Sequence, residues 1–185
     1  MRTLITKIGI CFTLLLLGIQ AMAQSSTATS NHSLTMGIPE VCLLGTSAAA
    51  ISLQLTTTTA GNQISGGTGT GYAQVSSIVS SGETRTITAA VTGVPTGTSL
   101  SVTTTPPSGG NSGGVLGTGS SNASLVNGAS AVTLVTGIGS CYTGAASTDG
   151  YTLDYTWSSA LGSYGSIVAS AGATATVVLT ITNIP

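Results

Sequence analysis

The chain has 185 residues and a formal net charge of −1 at pH 7, from only three basic and four acidic side chains. A protein that binds nucleic acid or an anionic membrane needs a basic surface. Three basic residues cannot form such a surface, so both classes of partner are excluded.

The first 23 residues have the three parts of a secretory signal peptide. Arg2 and Lys7 supply positive charge, an apolar run covers residues 8–19, and Ala-Met-Ala forms a small-x-small cleavage motif. The apolar run is too short for a comfortable membrane span, although a retained anchor is the alternative. We expect residues 24–185 to be exported to the cell surface or beyond, with no membrane span.

Residues 24–38 are predicted to form an N-terminal extension ahead of a domain at 39–185. The stretch "HSLTMGI" alternates polar residues with three apolar ones, Leu34, Met36 and Ile38. This period of two is typical of a β-strand. Two uses remain open, since the segment either folds back as the first strand of its own sheet or completes a neighbouring subunit by β-augmentation.

Seven further runs combine β-branched or aromatic residues with alternation and are separated by Gly, Ser, Pro and Asn. They cover 50–57, 72–80, 84–92, 98–105, 131–137, 151–157 and 173–183. "SSGET" at 80–84 predicts a tight hairpin, and "GVPTGT" at 93–98 a Pro-Gly turn. Although the abundance of Ser, Thr and Gly is also typical of disordered linkers, these runs favour an ordered chain. Seven or more strands predict a single all-β, immunoglobulin-like or pilin-like β-sandwich.

Cys42 and Cys141 are the two cysteines outside the leader. An even number of cysteines in an exported chain predicts a disulfide, and the chain-entropy model gives a loop of roughly 100 residues about 4.7 kcal/mol. The alternative is a pair of buried free thiols. No metal site is predicted, because zinc prefers four ligands and only one histidine accompanies these cysteines.

The motif "GNSGG" at 110–114 matches the G-x-S-x-G pattern of a hydrolase nucleophile, with Ser112 at its centre. Such a serine needs a histidine base held by an acid. The only histidine, His32, lies in the extension. We interpret the motif as a Gly-Ser turn and predict neither enzymatic activity nor a cofactor.

The few charged side chains suggest structural roles. Asp149 and Asp154 have the chemistry for glycosidase catalysis or calcium binding. The pattern instead predicts a turn at Asp149 and an outward position for Asp154 on its strand. Glu83 and Arg85 flank the 80–84 turn and predict a surface ion pair.

Three aromatic residues share one face of the 151–157 strand, because their spacings of four and two residues are both even: Tyr151, Tyr155 and, at its end, Trp157. An aromatic stripe can bind sugar. Because this chain has few other large side chains, we interpret the stripe as core.

In outline the mature chain resembles Gram-negative fimbrial or pilin-like subunits, although no named family is assigned. The shared features are a leader, a polar extension, two cysteines, Thr-rich strands and a closing apolar strand. Gly172 matches a glycine that chaperone–usher pilins carry about fourteen residues from the end. Ile184 stands where those pilins have a tyrosine, and their cysteines lie closer together.

The resemblance implies export from a Gram-negative bacterium and a structural or adhesive role. We expect a homopolymeric extracellular filament assembled by strand exchange, with Leu34, Met36 and Ile38 at the subunit interface. The alternative function is a monomeric surface module that binds carbohydrate or ice.

Overall fold

Alternating apolar side chains build two antiparallel sheets in the computed structural model, which describes residues 27–47, 50–56 and 59–184. The strands are β1 Val41–Thr46, β2 Gly67–Ile78, β3 Thr84–Thr92, β4 Thr98–Thr105, β5 Gly113–Gly114, β6 Thr118–Gly119, β7 Ala123–Leu125, β8 Val132–Ile138, β9 Cys141–Tyr142, β10 Tyr151–Ser159 and β11 Thr176–Ile184. A short 3-10 helix, Leu161–Ser166, precedes β11.

The two sheets pack as a sandwich. In the larger sheet the strands follow the order β5-β9-β2-β10-β4-β7, and β1 also pairs with β2. Ala73 of β2 is paired with both Thr46 and Tyr151, so β1 and β10 lie on opposite sides of β2. The smaller sheet has the order β11-β3-β8-β6. The predicted all-β sandwich is confirmed.

The inner faces of the two sheets form one core. Ile87, Leu134 and Tyr151 are among its fully buried side chains. Tyr155 is also buried and Trp157 packs against the cluster, so the aromatic stripe is core, as interpreted from the sequence. The outward position predicted for Asp154 is confirmed as well, because this residue is exposed.

The hairpin predicted at 80–84 is wrong. A turn does form there, with the Glu83 N–H donating to the Ser80 carbonyl at 3.2 Å. However, β2 and β3, which flank it, belong to different sheets. A local sequence pattern specifies where the chain reverses, whereas pairing partners are chosen by the burial of whole strands.

The strand predicted at 50–57 is also wrong. Within the described part of this run, residues 50–56 join no ladder, and only Thr56 makes an isolated bridge, to Ser65. In contrast, the runs predicted at 84–92 and 98–105 coincide with β3 and β4.

The chain divides into two units, residues 1–37 and 38–185. In the first unit the structure describes residues 27–37, which are exposed and without regular secondary structure. The predicted signal peptide, residues 1–23, lies outside the described residues. Within the described ranges, no helix has the length and apolar character needed to span a membrane.

Candidate subunit-assembly site

The last strand, β11, is the outermost strand of the smaller sheet. It pairs with β3 from Thr176 opposite Thr92 to Ile184 opposite Thr84. Among the described residues, no strand pairs with the other side of β11. Its backbone groups on that side form an open edge of the kind that accepts another strand.

The inner face of β11 is incompletely covered. Val177, Leu179 and Ile181 point toward the core but are only half-buried. Their register partners on β3 have exposed fractions of 3% for Val91, 1% for Ala89 and 1% for Ile87. The core is therefore closed over β3 and open over β11, on the side of the unpaired edge.

An open groove of about 900 Å³ lies beside the beginning of β11. Its lining includes Leu55, Leu100, Trp157 and Val177, and none of its lining residues is charged. The Trp157 indole nitrogen is buried without a hydrogen-bond partner. This groove suits an uncharged occupant, because burying a charge without a partner is costly.

Residues 50–55, which were predicted to be part of a strand, form another part of the groove lining. Within this segment, residues 51–54 lie against three alternate glycines on β2. A Cβ built on Gly69 would be 2.5 Å from Ile51 Cγ2 and 2.8 Å from Leu53 Cδ2, and one on Gly71 would be 2.8 Å from Ile51 Cδ1. Gly67 in the same way approaches the Gln54 backbone. We call this row, Gly67, Gly69 and Gly71, the glycine trough.

The glycine trough explains why the 50–57 prediction failed. Side chains at these positions would have covered the inner face of β2, as Ala73 and Val75 do further along the strand. Because glycine has no side chain, the inner face of β2 is left uncovered at these positions. Residues 51–54 cover it instead of joining a ladder. The alternate glycines of "GTGTG" are the sequence signal, because glycine inside a strand often marks a close approach of another chain segment.

Arg85 is buried, with an exposed fraction of 1%, so the predicted surface ion pair with Glu83 is wrong. Its guanidinium donates to Asn183 Oδ1 at 2.6 Å, to Ser77 Oγ at 2.9 Å and to the Ile78 carbonyl at 3.2 Å. It also donates to the Val41 carbonyl. Arg85 thus links the start of β1 and the end of β11 across the sandwich.

Glu40, directly before β1, is the ionic partner of Arg85, with 3.9 Å between Oε2 and the guanidinium. The Ser80 hydroxyl donates to Glu40 Oε1 at 2.6 Å, and the Ser80 N–H donates to it at 3.2 Å. The Ser80 hydroxyl is the main cause of a lowered pKa at Glu40, with smaller contributions from the Ser80 N–H and Arg85. These contacts fix the point at which the chain enters the sandwich.

Cys42 and Cys141 are free thiols in the structure, the first exposed and the second buried. Both are register partners of Ser77, on opposite sides of β2. Two strand spacings amount to about 9–10 Å between Cα atoms, which exceeds the range for a disulfide. The bridge predicted between them would require β1 to move, and it stays a prediction.

The predicted interface residues are available for contact. Leu34, Met36 and Ile38 have exposed fractions of 75%, 88% and 82%. His32 is also exposed.

The residues with potential for catalysis occupy turns and a strand face. The Ser112 hydroxyl donates to the Gly109 carbonyl at 3.1 Å, within a turn. Asp149 caps a turn by accepting from the Ala146 N–H at 2.9 Å, and Asp154 accepts from the Thr70 hydroxyl at 2.6 Å. In the described part of the chain, no three His, Cys, Asp or Glu side chains are arranged to hold a metal ion.

Comparisons of the chain with protein-family models, curated proteins and solved structures find no match.

Proposed function

We propose that the protein is a secreted structural subunit of an extracellular filament, assembled when the N-terminal extension of one copy adds a strand to the next. The observation that carries the proposal is the open edge of β11 above a half-buried apolar face. A strand added there would satisfy the unpaired backbone groups and cover Val177, Leu179 and Ile181. These two gains are the basis of β-augmentation.

The extension has the properties that this edge requires. Leu34, Met36 and Ile38 recur every second residue, so an extended chain directs all three to one face. All three are exposed and available to a neighbour. Residues 27–38 contain no Lys, Arg, Asp or Glu, which matches the uncharged lining of the groove.

The contact is head-to-tail, because the donating and accepting surfaces are different parts of the chain. Head-to-tail contacts that do not close into a ring generate open filaments. The low charge of the mature chain limits repulsion between successive copies.

Deletion of residues 24–37 tests the proposal. A donor strand predicts that the truncated protein folds but sediments as a monomer, whereas the full mature chain forms fibres visible by electron microscopy. An unfolded or strongly destabilised truncation product would show that the segment is an ordinary first strand of its own domain.

A matched pair of point variants refines this test in the full mature chain. Met36→Asp places a charge on the apolar face of the donor and should abolish fibres. Thr35→Asp places the same charge on the opposite face of an extended chain and should leave fibres intact. Equal behaviour of the two variants would contradict strand donation.

A second candidate function is a surface module that binds carbohydrate or ice, and the outer face of the larger sheet favours it. Hydroxyl groups form the row Thr68–Thr156–Ser101 across adjacent strands, and the row beside it, Thr70–Asp154–Thr103, has a carboxylate between two hydroxyls. Flat arrays of hydroxyls suit polyols and ordered water. Retention on carbohydrate resins or thermal hysteresis, lost in Thr156→Val but kept in Thr176→Val, would favour this function.

A further inference from the structure

We propose that residues 51–55 occupy, in the free subunit, the seat that residues 34–38 of a second copy take in the filament. The inference rests on the proposed function and deepens it. The seat is the groove that residues 51–55 line together with Val177 at the beginning of β11, and it includes the glycine trough on β2. The chain's own segment is thus a stand-in that the incoming donor strand displaces.

The two segments match in length, pattern and charge. "ISLQL" carries Ile51, Leu53 and Leu55, and "LTMGI" carries Leu34, Met36 and Ile38, each with apolar side chains at alternate positions over five residues. An extended five-residue segment spans about 17 Å in either case. Neither segment contains a charged residue, so either one can occupy the uncharged seat without burying a charge.

The glycine trough provides room for another chain segment rather than for side chains of β2, since Gly69 and Gly71 face side chains of residues 51–54 and Gly67 faces their backbone. Real Cβ atoms at Gly69 and Gly71 would collide with the side chains of Ile51 and Leu53. Larger residues at these positions of β2 would have filled this space with their own side chains. Three alternate glycines instead leave a slot that different extended segments can enter.

The stand-in is held weakly enough to be exchanged. β1 makes six consecutive register pairs with β2, whereas residues 50–55, within the described chain, pair with no strand. Ile51 has an exposed fraction of 39%, and Leu53 and Leu55 are half-buried. Release of the segment therefore breaks apolar packing but no ladder of hydrogen bonds.

The single tryptophan provides the readout, because Trp157 lines the groove. The host is the full mature chain with Met36→Asp, which removes its own donor. The probe is a synthetic peptide of residues 27–40. Stopped-flow tryptophan fluorescence measures how fast the peptide associates with the host.

Leu53→Ala in this host weakens the stand-in and raises the population of the receptive state. The association rate should rise about tenfold, because apparent binding scales with that population. Leu43→Ala is the matched control, since Leu43 on β1 is 63% exposed, and it should leave the rate unchanged. If Leu53→Ala fails to fold by circular dichroism, Leu53→Val replaces it, with a smaller rise in rate.

An unchanged or lower rate in the folded Leu53 variant, with binding to the host retained, would overturn the inference. Residues 51–55 would then be a fixed wall of the site, and strand donation itself would stand. If the peptide binds none of these chains, strand donation fails and the inference fails with it.

Discussion

Arg85 is the residue that ties the end of β11 to the larger sheet. It is the only Lys or Arg after residue 7, and it is buried between the ends of β1, β2 and β11. Its contacts with Val41, Ser77 and Asn183 satisfy a charge that would otherwise be expensive to bury. The sequence pattern predicted a surface position because its neighbours suggested a hairpin, whereas its partners Val41 and Asn183 are distant in the chain.

Replacement of Arg85 by Met should destabilise the domain by about 3 kcal/mol, because several polar groups lose their shared donor in a buried site. Urea denaturation followed by circular dichroism measures the loss. Glu83→Gln, two residues away, is the control and should have little effect. A loss below about 0.5 kcal/mol for Arg85→Met would show that the cluster contributes no net stability.

Two buried tyrosines predict that stability falls at alkaline pH. Burial, and to a lesser extent the nearby Cys141 thiol, raises the pKa of Tyr151 far above its ordinary value of 10.0. Burial also raises the pKa of Tyr155. Because both stay protonated in the folded state while the unfolded chain ionises, their contribution is complete below about pH 10 and is lost as the pH rises above it.

The urea midpoint, measured from pH 7 to 11, should therefore fall above about pH 10. In Tyr151→Phe this fall should be smaller, because one buried phenol is gone. The same variant should lose about 1 kcal/mol at neutral pH, since the Tyr151 hydroxyl donates to the Leu116 carbonyl at 2.6 Å. An identical alkaline slope in the two proteins would contradict this assignment.

At the scale of elements, strands with strong alternation could be located from the sequence, and their partners could not. β3 and β4 coincide with the predicted runs residue for residue, because every second residue along each strand is buried in the core. β1 was missed since neither of its faces is consistently buried. Residues 50–57 have an equally clear strand pattern. However, the glycine trough lets residues 51–54 pack on the inner face of β2, where they join no sheet.

The positions of β1 and β9 on either side of β2 predict the reactivity of the two thiols. Cys42 is exposed, whereas Cys141 is buried and desolvation raises its pKa, although Arg85 partly opposes the shift. Without reductant, a maleimide should therefore modify Cys42 at least about tenfold faster than Cys141 at neutral pH, since the thiolate is the reactive form. Mass spectrometry of the digested protein measures both rates.

If neither thiol reacts until reductant is added, the disulfide expected from the sequence exists. In that case β1 does not occupy its observed register beside β2 when the bridge is formed.

For the molecule as a whole, the sandwich and the inward position of the aromatic stripe follow from period-two patterns and composition. The candidate site depends on features of strand pairing and burial that these patterns do not specify. The edge of β11 is open because no strand within the described ranges pairs with its outer side, and the apolar run at 173–183 gave no sign that its inner face would be half-covered. The extension was identifiable because three apolar residues stand in a polar segment without an evident partner.

Mixing a donor-deficient chain with an acceptor-deficient chain tests the central claim most directly. Met36→Asp disables the donor and keeps the groove, whereas Ala175→Asp places a charge at an exposed position in the groove lining and keeps the donor. Native mass spectrometry should find each variant monomeric alone and a one-to-one dimer in the mixture, because only one productive contact can form. Fibres from either variant alone, or a mixture that stays monomeric while both proteins are folded, would contradict assembly by strand donation.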